Sequence, residues 1–272
     1  MAAEDTITLS RDAEIATLAI NRPERKNALS YSMLDRMAAI VRELKSDPSV
    51  RVVLFRGVGD TFCAGTDLQE LSGRTFASGG GQTASAAGNN PMRGGELTAP
   101  WLFHNLPQPV IALVHGAAVG LGAELTLAAD IRIASIEGRF NWVFAKRGLI
   151  PDTGAGTWLL PRLVGTSKAF EIMLTARMIG AQEALRLGLI SEVVEADQLI
   201  ARGKTLAQEI AQCSPLSIRL IKELTYRGLE RDSLSHCAET AKLLNNVAFK
   251  SKDFAEGVKS FLEKRQPKFT GE

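Results

Sequence analysis

The 272-residue sequence is poor in the residues that disulfide frameworks and zinc sites need. It has three cysteines, Cys63, Cys213 and Cys237, which are far apart and show no CxxC or Cys/His ligand spacing. A small, odd number of dispersed cysteines argues against both kinds of structure. We therefore expect no bound metal, and a reducing cytoplasm is the simplest compartment.

The sequence also lacks the motifs of several large enzyme classes. It contains no G-x-S-x-G elbow and no P-loop, and it has only three histidines, His104, His115 and His236. A Ser–His–Asp hydrolase is therefore weakly supported. The run "GLGAEL" (120–125) begins like a dinucleotide-binding turn, but its third glycine would fall on Leu125. A nicotinamide-dependent oxidoreductase has little support for that reason.

Neither an excess of charge nor a long uncharged apolar run is present. There are 32 basic and 30 acidic side chains, a formal net charge of +2. This near balance gives no electrostatic reason to expect a nucleic-acid or membrane partner. The longest apolar run, 109–130, carries His115 and Glu124 and reads as a strand, a turn and a buried helix. The N-terminal residues are acidic and polar, unlike a secretory signal.

Hydrophobic periodicity indicates an α/β protein. Runs 14–20 and 51–56 are rich in β-branched residues and predict strands, and a helical pattern with Ser30 as its N-cap lies between them. The order of strand, helix and strand recurs over 109–135, which implies parallel strands. From 155 onward the spacing is mostly that of amphipathic helices. The prediction is an α/β core followed by a helical C-terminal layer.

One segment, 72–100, is dominated by glycine, serine and alanine and has no periodicity. A disordered surface loop is one interpretation. A mobile loop that lines a binding cleft is the other, because long loops in compact domains are often functional.

Two glycine-bearing turns follow predicted strands, at 59–68 ("GDTFCAGTDL") and 120–125. A helix N-terminus with glycines exposes backbone N–H groups, which stabilise anions, including an oxyanion formed during a reaction. Two such turns from parallel strands could point at one oxygen. On spacing alone, two ordinary turns are the alternative.

Four segments resemble, in order and spacing, the enoyl-CoA hydratase/isomerase (crotonase) family. They are "NRPERKNALS" (21–30), "FCAGTDL" (62–68), "HGAAVGLGAELTLAADIRIAS" (115–135) and "KRGLIPDTGAGTWLLPRLVG" (146–165). Later segments match as well, so the resemblance covers nearly the whole chain. It implies a spiral of ββα units with a helical C-terminal trimerisation region. We expect an acyl-CoA-binding core over 1–200 and the helical region over 201–272.

The resemblance also implies the chemistry. Members act on acyl-CoA thioesters, with coenzyme A as part of the substrate and no separate cofactor, and they form homotrimers or dimers of trimers. Two backbone N–H groups stabilise a thioester enolate. By position these are the amides of Thr66, after Gly65, and Leu121, after Gly120. A place in fatty acid metabolism follows from the substrate class.

A coenzyme A site is implied by the same comparison. Arg25 is a candidate phosphate partner beside Lys26, and Phe261 and Lys264 on the terminal helix could reach the coenzyme A of a neighbouring subunit. A solvated helix face is the alternative for Lys264. The residues that would form the site are Arg25, Lys26, Cys63, Ala64, Asp67, Leu68, Phe261 and Lys264.

The carboxylates favour double-bond isomerisation over hydration. Hydratases of this family use two glutamates; the first position matches Glu124, but the second falls on Phe144, which cannot transfer a proton. Asp152 stands eight residues later, in a "GLIPD" context that resembles epoxyphenylacetyl-CoA and dienoyl-CoA isomerases. We therefore expect Glu124 and Asp152 to be catalytic, although Asp152 could instead cap the helix that follows. Hydration through Glu124 and a non-catalytic CoA-ester-binding protein remain alternatives.

Overall fold

The computed structural model describes residues 6–67, 69–70, 102–151 and 153–272. In that part of the chain the strands form a larger and a smaller sheet. The larger sheet contains, in spatial order, β1 (Ile7–Asp12), β2 (Ile15–Ile20), β3 (Val52–Gly57), β4 (Val110–Val114), β6 (Ile131–Ser135) and β9 (Glu192–Val194). The smaller contains β5 (Ala117–Val119), β7 (Arg139–Asn141) and β8 (Ile179–Gly180).

Parallel pairing dominates the larger sheet. Strands β1 and β2 form an antiparallel hairpin, and every later neighbour in that sheet is parallel. In the smaller sheet β5 pairs with β7 in parallel, and β7 pairs with β8 antiparallel. The prediction of an α/β architecture with parallel strands is confirmed.

Helices alternate with the strands as far as β9, and the regular elements after β9 are all helical. They are α1 (Tyr31–Lys45), α2 (Leu121–Ala128), α3 (Ala155–Trp158), α4 (Leu160–Val164), α5 (Thr166–Thr175), α6 (Ala181–Arg186), α7 (Leu199–Ala211), α8 (Pro215–Gly228), α9 (Ser233–Asn246) and α10 (Lys252–Leu262). Short 3-10 turns occupy Pro23–Arg25, Val143–Arg147, Ala196–Gln198 and Ala248–Lys250. The first helix begins as expected, since the Ser30 hydroxyl accepts a hydrogen bond from the Met33 amide at 3.2 Å.

The larger sheet is covered on both faces, which explains its continuous apolar strands. Successive side chains of β3 point to opposite faces. Phe55 joins the main core with α1 and α2, while Leu54 joins a smaller cluster with Leu199 and Ala207 of α7. The main core therefore lies on the α2 side, where the glycine turns are.

The helices after α7 leave much apolar surface exposed. No residue of α9 is buried, and Leu234 and Phe261 are 79% and 83% exposed. Such a surface is suited to self-association. The trimer and the division at residue 200 stay predictions. No helix in the described residues is both long and apolar enough to cross a bilayer.

A buried ion pair fastens α8 to the sheet. The Lys222 ammonium donates to Asp130 Oδ2 at 2.7 Å, and to the carbonyls of Phe103 and Gln108 at 2.8 and 3.0 Å. Asp130 also accepts from the Tyr226 hydroxyl and the Val110 amide, both at 2.7 Å. Burial lowers the pKa of Lys222, and the facing Asp130 carboxylate opposes that shift. All three ammonium hydrogens have acceptors, so the charge is compensated inside the protein.

Replacing Lys222 by alanine should lower the free energy of unfolding by about 3–5 kcal/mol, because it leaves the Asp130 carboxylate buried without its cation. Urea denaturation measures this loss. The control is Lys168→Ala. The Lys168 side chain is 52% exposed, and its ammonium forms a surface ion pair with Glu171. That change should cost less than about 1 kcal/mol. Equal losses in the two variants would contradict the buried-pair account.

Candidate active site

The two glycine turns found in the sequence lie side by side. The Cys63 amide donates to the Ala117 carbonyl at 3.0 Å, and the Val119 amide donates to the Cys63 carbonyl at 2.9 Å. This parallel bridge between Cys63 and Ala118 runs directly into the start of α2. The segment after β3 and the segment before α2 are thus joined backbone to backbone.

Glycines allow this close approach. Gly65 has a φ of +100°, and a Cβ built on it would lie 2.8 Å from the Val119 carbonyl oxygen and 3.6 Å from the Leu121 amide nitrogen. A Cβ on Gly122 would lie 2.3 Å from the Cys63 carbonyl oxygen. Any side chain at either position would force the two turns apart.

The two amides predicted as oxyanion donors border this junction. Thr66 is held between the Leu29–Gly65 and Asp67–Leu29 backbone hydrogen bonds, of 2.8 and 2.9 Å. Leu121 is the first residue of α2, where helical amides lack an acceptor within the helix. Within the described residues neither N–H has an acceptor. The arrangement offers two backbone donors, one of them at the positive end of a helix.

Glu124 lies one helical turn after Leu121 and is fully buried. Its Oε1 accepts a hydrogen bond from Trp142 Nε1 at 2.7 Å, and its Oε2 accepts from the Gly156 amide at 3.0 Å. The Thr153 hydroxyl donates to Oε2 as well. A buried carboxylate is costly unless hydrogen bonds compensate it, and here three donors from two segments of chain supply them.

Gly156 is required where Glu124 meets α3. A Cβ on Gly156 would lie 2.3 Å from Glu124 Oε1 and 3.0 Å from Trp142 Cδ1. Even alanine would displace the carboxylate or the helix.

Three residues of this environment were not predicted as site residues. Trp142, Thr153 and Gly156 surround Glu124, but they lie 18 to 32 positions away in the sequence. One weak signal was available, since a buried tryptophan N–H normally has an acceptor.

Two positions were considered for a second acid, 144 and 152, and neither supplies one among the described residues. Phe144, where a second glutamate was sought, is a buried core residue in the Val143–Arg147 turn. Asp152 lies outside the described residues, as do Leu68 and the segment 72–100. The N-cap position of α3 is held by Gly154, two residues beyond Asp152. Trp158 lies against the Arg162 guanidinium, whose Cζ is 3.4 Å from the ring centroid.

The segment around Arg25 and Lys26 reaches the first glycine turn. The Lys26 carbonyl accepts from the Ala64 amide at 2.9 Å, and Lys26 has a φ of +51°. Asn27, buried beside them, accepts from the Arg22 amide and donates to the Val58 and Thr61 carbonyls. Arg25 itself is exposed. Arg25, Lys26 and Ala64 are therefore brought together at one edge of the site.

Asp67 and Cys63, both predicted for the coenzyme A site, have buried side chains. Asp67 is 9% exposed and pairs with Arg22 at 2.8 Å. Burial opposes its ionisation, but the Arg22 hydrogen bond outweighs this with help from the Gln69 amide and lowers its pKa. Burial raises the pKa of the Cys63 thiol to about 12. Both side chains brace the turn, so a contact with coenzyme A there would be made by the backbone.

Phe261 and Lys264 are not brought to this edge. Phe261 lies on α10, and Lys264 follows the helix with a φ of +52°. Among the described residues no hydrogen bond or ion pair joins either one to the segments 22–30 or 60–67. Their proposed role needs a neighbouring subunit.

Comparison with known proteins identifies the relatives. The family model "Enoyl-CoA hydratase/isomerase" matches residues 10–272. The 1,2-epoxyphenylacetyl-CoA isomerase of Escherichia coli K12 is 34% identical, over 94% of this chain and 95% of its own. The short-chain-enoyl-CoA hydratase of Clostridium acetobutylicum is also 34% identical, over 96% of both.

Solved structures agree. The enoyl-CoA hydratase of Bacillus anthracis superposes with a TM-score of 0.87 at 32% identity, over 98% of this chain and 100% of that one. The enoyl-CoA hydratase of Mycobacterium tuberculosis gives 0.85 at 30% identity, over 99% and 100%. The resemblance read from the four motifs is confirmed, and so is the crotonase-type α/β fold with its helical C-terminal region.

Gly156→Ala should disrupt the Glu124 environment and remove most acyl-CoA turnover, because the added methyl group overlaps the carboxylate. The matched control is Gly180→Ala, where a Cβ meets nothing within 4 Å. Turnover and the thermal unfolding midpoint are measured on both variants. Full activity in Gly156→Ala would show that this contact is not needed.

Proposed function

This chain belongs to the enoyl-CoA hydratase/isomerase family, and we propose that within it the protein is an enoyl-CoA isomerase that moves a double bond through a thioester enolate. One observation carries the proposal. A fully buried carboxylate, Glu124, lies one turn from the Leu121 amide, while Phe144 occupies the place of the second acid that hydration needs.

The first requirement is stabilisation of negative charge on the thioester oxygen. The Thr66 and Leu121 amides are suited to it, because neither N–H has an acceptor within the described residues. Each donor of this kind typically lowers a barrier by about 3–4 kcal/mol. This stabilisation makes the proton on the carbon next to the thioester acidic enough for a carboxylate to remove.

The second requirement is proton transfer at two carbons. In a 3-enoyl-CoA, removal of a proton from C2 gives a dienolate, and return of a proton to C4 gives the 2-enoyl-CoA. No water is consumed. We assign these transfers to the carboxylates of Glu124 and Asp152. The burial of Glu124 supports its use as a base, since little water competes for it.

Phe144 is the argument against hydration. Adding water to a 2-enoyl-CoA needs one group to activate the water and one to deliver the α-proton. The aromatic ring of Phe144 does neither, and it is packed in the core. One relative, at 34% identity, is named 1,2-epoxyphenylacetyl-CoA isomerase, which supports an isomerase rather than a hydratase.

The coenzyme A portion is assigned to the edge formed by Arg25, Lys26 and Ala64. The exposed Arg25 guanidinium is suited to a phosphate, and the Lys26 and Ala64 backbones run side by side there. A homotrimer or dimer of trimers would cover the apolar surface of α9 and α10 and could bring Phe261 and Lys264 to a neighbouring site.

Supplying the protein with a 3-enoyl-CoA and a 2-enoyl-CoA tests the reaction. We expect the first to be converted to its 2-enoyl isomer and the second to add water slowly or not at all. Glu124→Gln and Asp152→Asn should each lower the rate, by about 100-fold or more. Glu137→Gln, at an exposed carboxylate outside the site, should not.

Fast hydration without a double-bond shift would make the protein a hydratase. Absence of turnover with any acyl-CoA, together with measurable binding, would make it a CoA-ester-binding protein.

Leu121→Pro tests the oxyanion donor. Proline removes the N–H but is tolerated at the first position of a helix. We expect kcat to fall about 100- to 1000-fold. The control is Thr166→Pro, also at a helix start after a glycine of positive φ, at α5. Circular dichroism checks that both variants are folded, and an unchanged kcat in a folded Leu121→Pro would eliminate this donor.

A further inference from the structure

Trp142 follows β7 directly and is among the largest fully buried side chains. Its indole N–H is its only polar atom and can only donate a hydrogen bond. The acceptor is Glu124 Oε1, 2.7 Å away. The largest side chain at the site therefore places its one polar atom on the carboxylate that the proposed reaction uses.

The other donors to Glu124 have a fixed direction too. The Gly156 amide can only donate, and it reaches Oε2 at 3.0 Å. The Thr153 hydroxyl oxygen accepts from the Ala155 amide at 3.4 Å, so its hydrogen is directed to Glu124 Oε2. Trp142 is the donor to Oε1, and it approaches from a different segment. Together they fix the plane of the carboxylate.

The backbone beside Trp142 connects this donor to the oxyanion turn. The Gly120 amide donates to the Asn141 carbonyl at 2.8 Å, and Val119 pairs with Asn141 between β5 and β7. Asn141 precedes Trp142, and Gly120 precedes Leu121. The Gly120–Asn141 hydrogen bond therefore fixes the backbone of Leu121 relative to the backbone of Trp142.

We propose that Trp142 is a positioning residue for Glu124: its indole N–H holds the carboxylate in place and aims it at the carbon beside the thioester held by Thr66 and Leu121. It acts through Glu124. This inference rests on the proposed isomerase function. A tryptophan that served only to fill the core would act through its shape, and its N–H would be dispensable.

Two replacements separate the N–H from the shape. Trp142→Phe removes the donor and some volume. 3-Benzothienylalanine at position 142 keeps the bicyclic shape and replaces the N–H by sulfur. In both we expect kcat with a 3-enoyl-CoA to fall about 10- to 100-fold, the factor that one hydrogen bond to a charged group is worth. KM should stay within about threefold. Trp158→Phe is the control and should keep wild-type kcat.

A spectroscopic readout tests the bond without turnover. The sequence has three tryptophans, Trp101, Trp142 and Trp158, so the indole region of a ¹⁵N–¹H spectrum has three side-chain signals to assign. Trp142→Phe identifies one of them by its loss. In Glu124→Gln that signal should shift, since its acceptor changes from a carboxylate to an amide, while the signal of Trp158 stays in place.

Wild-type kcat in the folded benzothienylalanine variant would overturn the inference, and so would a Trp142 signal that ignores Glu124→Gln. Absence of any double-bond shift in the wild type, with the Trp142 signal still moved by Glu124→Gln, would refute the proposed function alone.

Discussion

The site depends on the pairing of Cys63 with Ala118, because this bridge holds the turn after β3 against the start of α2. Without it the Thr66 and Leu121 amides would belong to separate parts of the sheet edge. Gly65 and Gly122 permit the contact, each by lacking a side chain where the other segment passes. The carboxyl ends of parallel strands are where such turns meet in α/β proteins, and this pairing brings the two turns into direct backbone contact there.

The placement of Glu124 follows from the same junction. Helix α2 begins at the bridge. Its first turn therefore has the Leu121 amide at its start and the Glu124 carboxylate at its end. The carboxylate is far from water, and its charge is supported by donors from β7 and α3. Phe144, where a second glutamate was sought, is a buried core residue. The one carboxylate that the described residues place here is thus held by fixed donors and shielded from solvent.

Local sequence patterns were sufficient to predict much of the fold and part of the site. The Ser30 cap, the parallel strands and the glycine turns each depend on neighbouring residues, and the order of motifs was enough to identify the family. The donors to Glu124 could not be found in that way, because Trp142, Thr153 and Gly156 meet only after three segments have packed. Asp67 is the opposite case. Its place in a motif predicted a contact with coenzyme A, but its carboxylate forms an ion pair with Arg22 inside the protein.

The Lys222–Asp130 pair affects the order in which the chain can fold during synthesis. Asp130 ends the segment that contains α2, yet its cation and its tyrosine partner lie about ninety residues later, on α8. During synthesis the N-terminal half leaves the ribosome first, and until α8 follows, that carboxylate has the Val110 amide as a donor but lacks its cation. The sheet can form early, but the end of α2 stays hydrated. The ribosome must therefore deliver the C-terminal helices before the catalytic half of the protein reaches its final order.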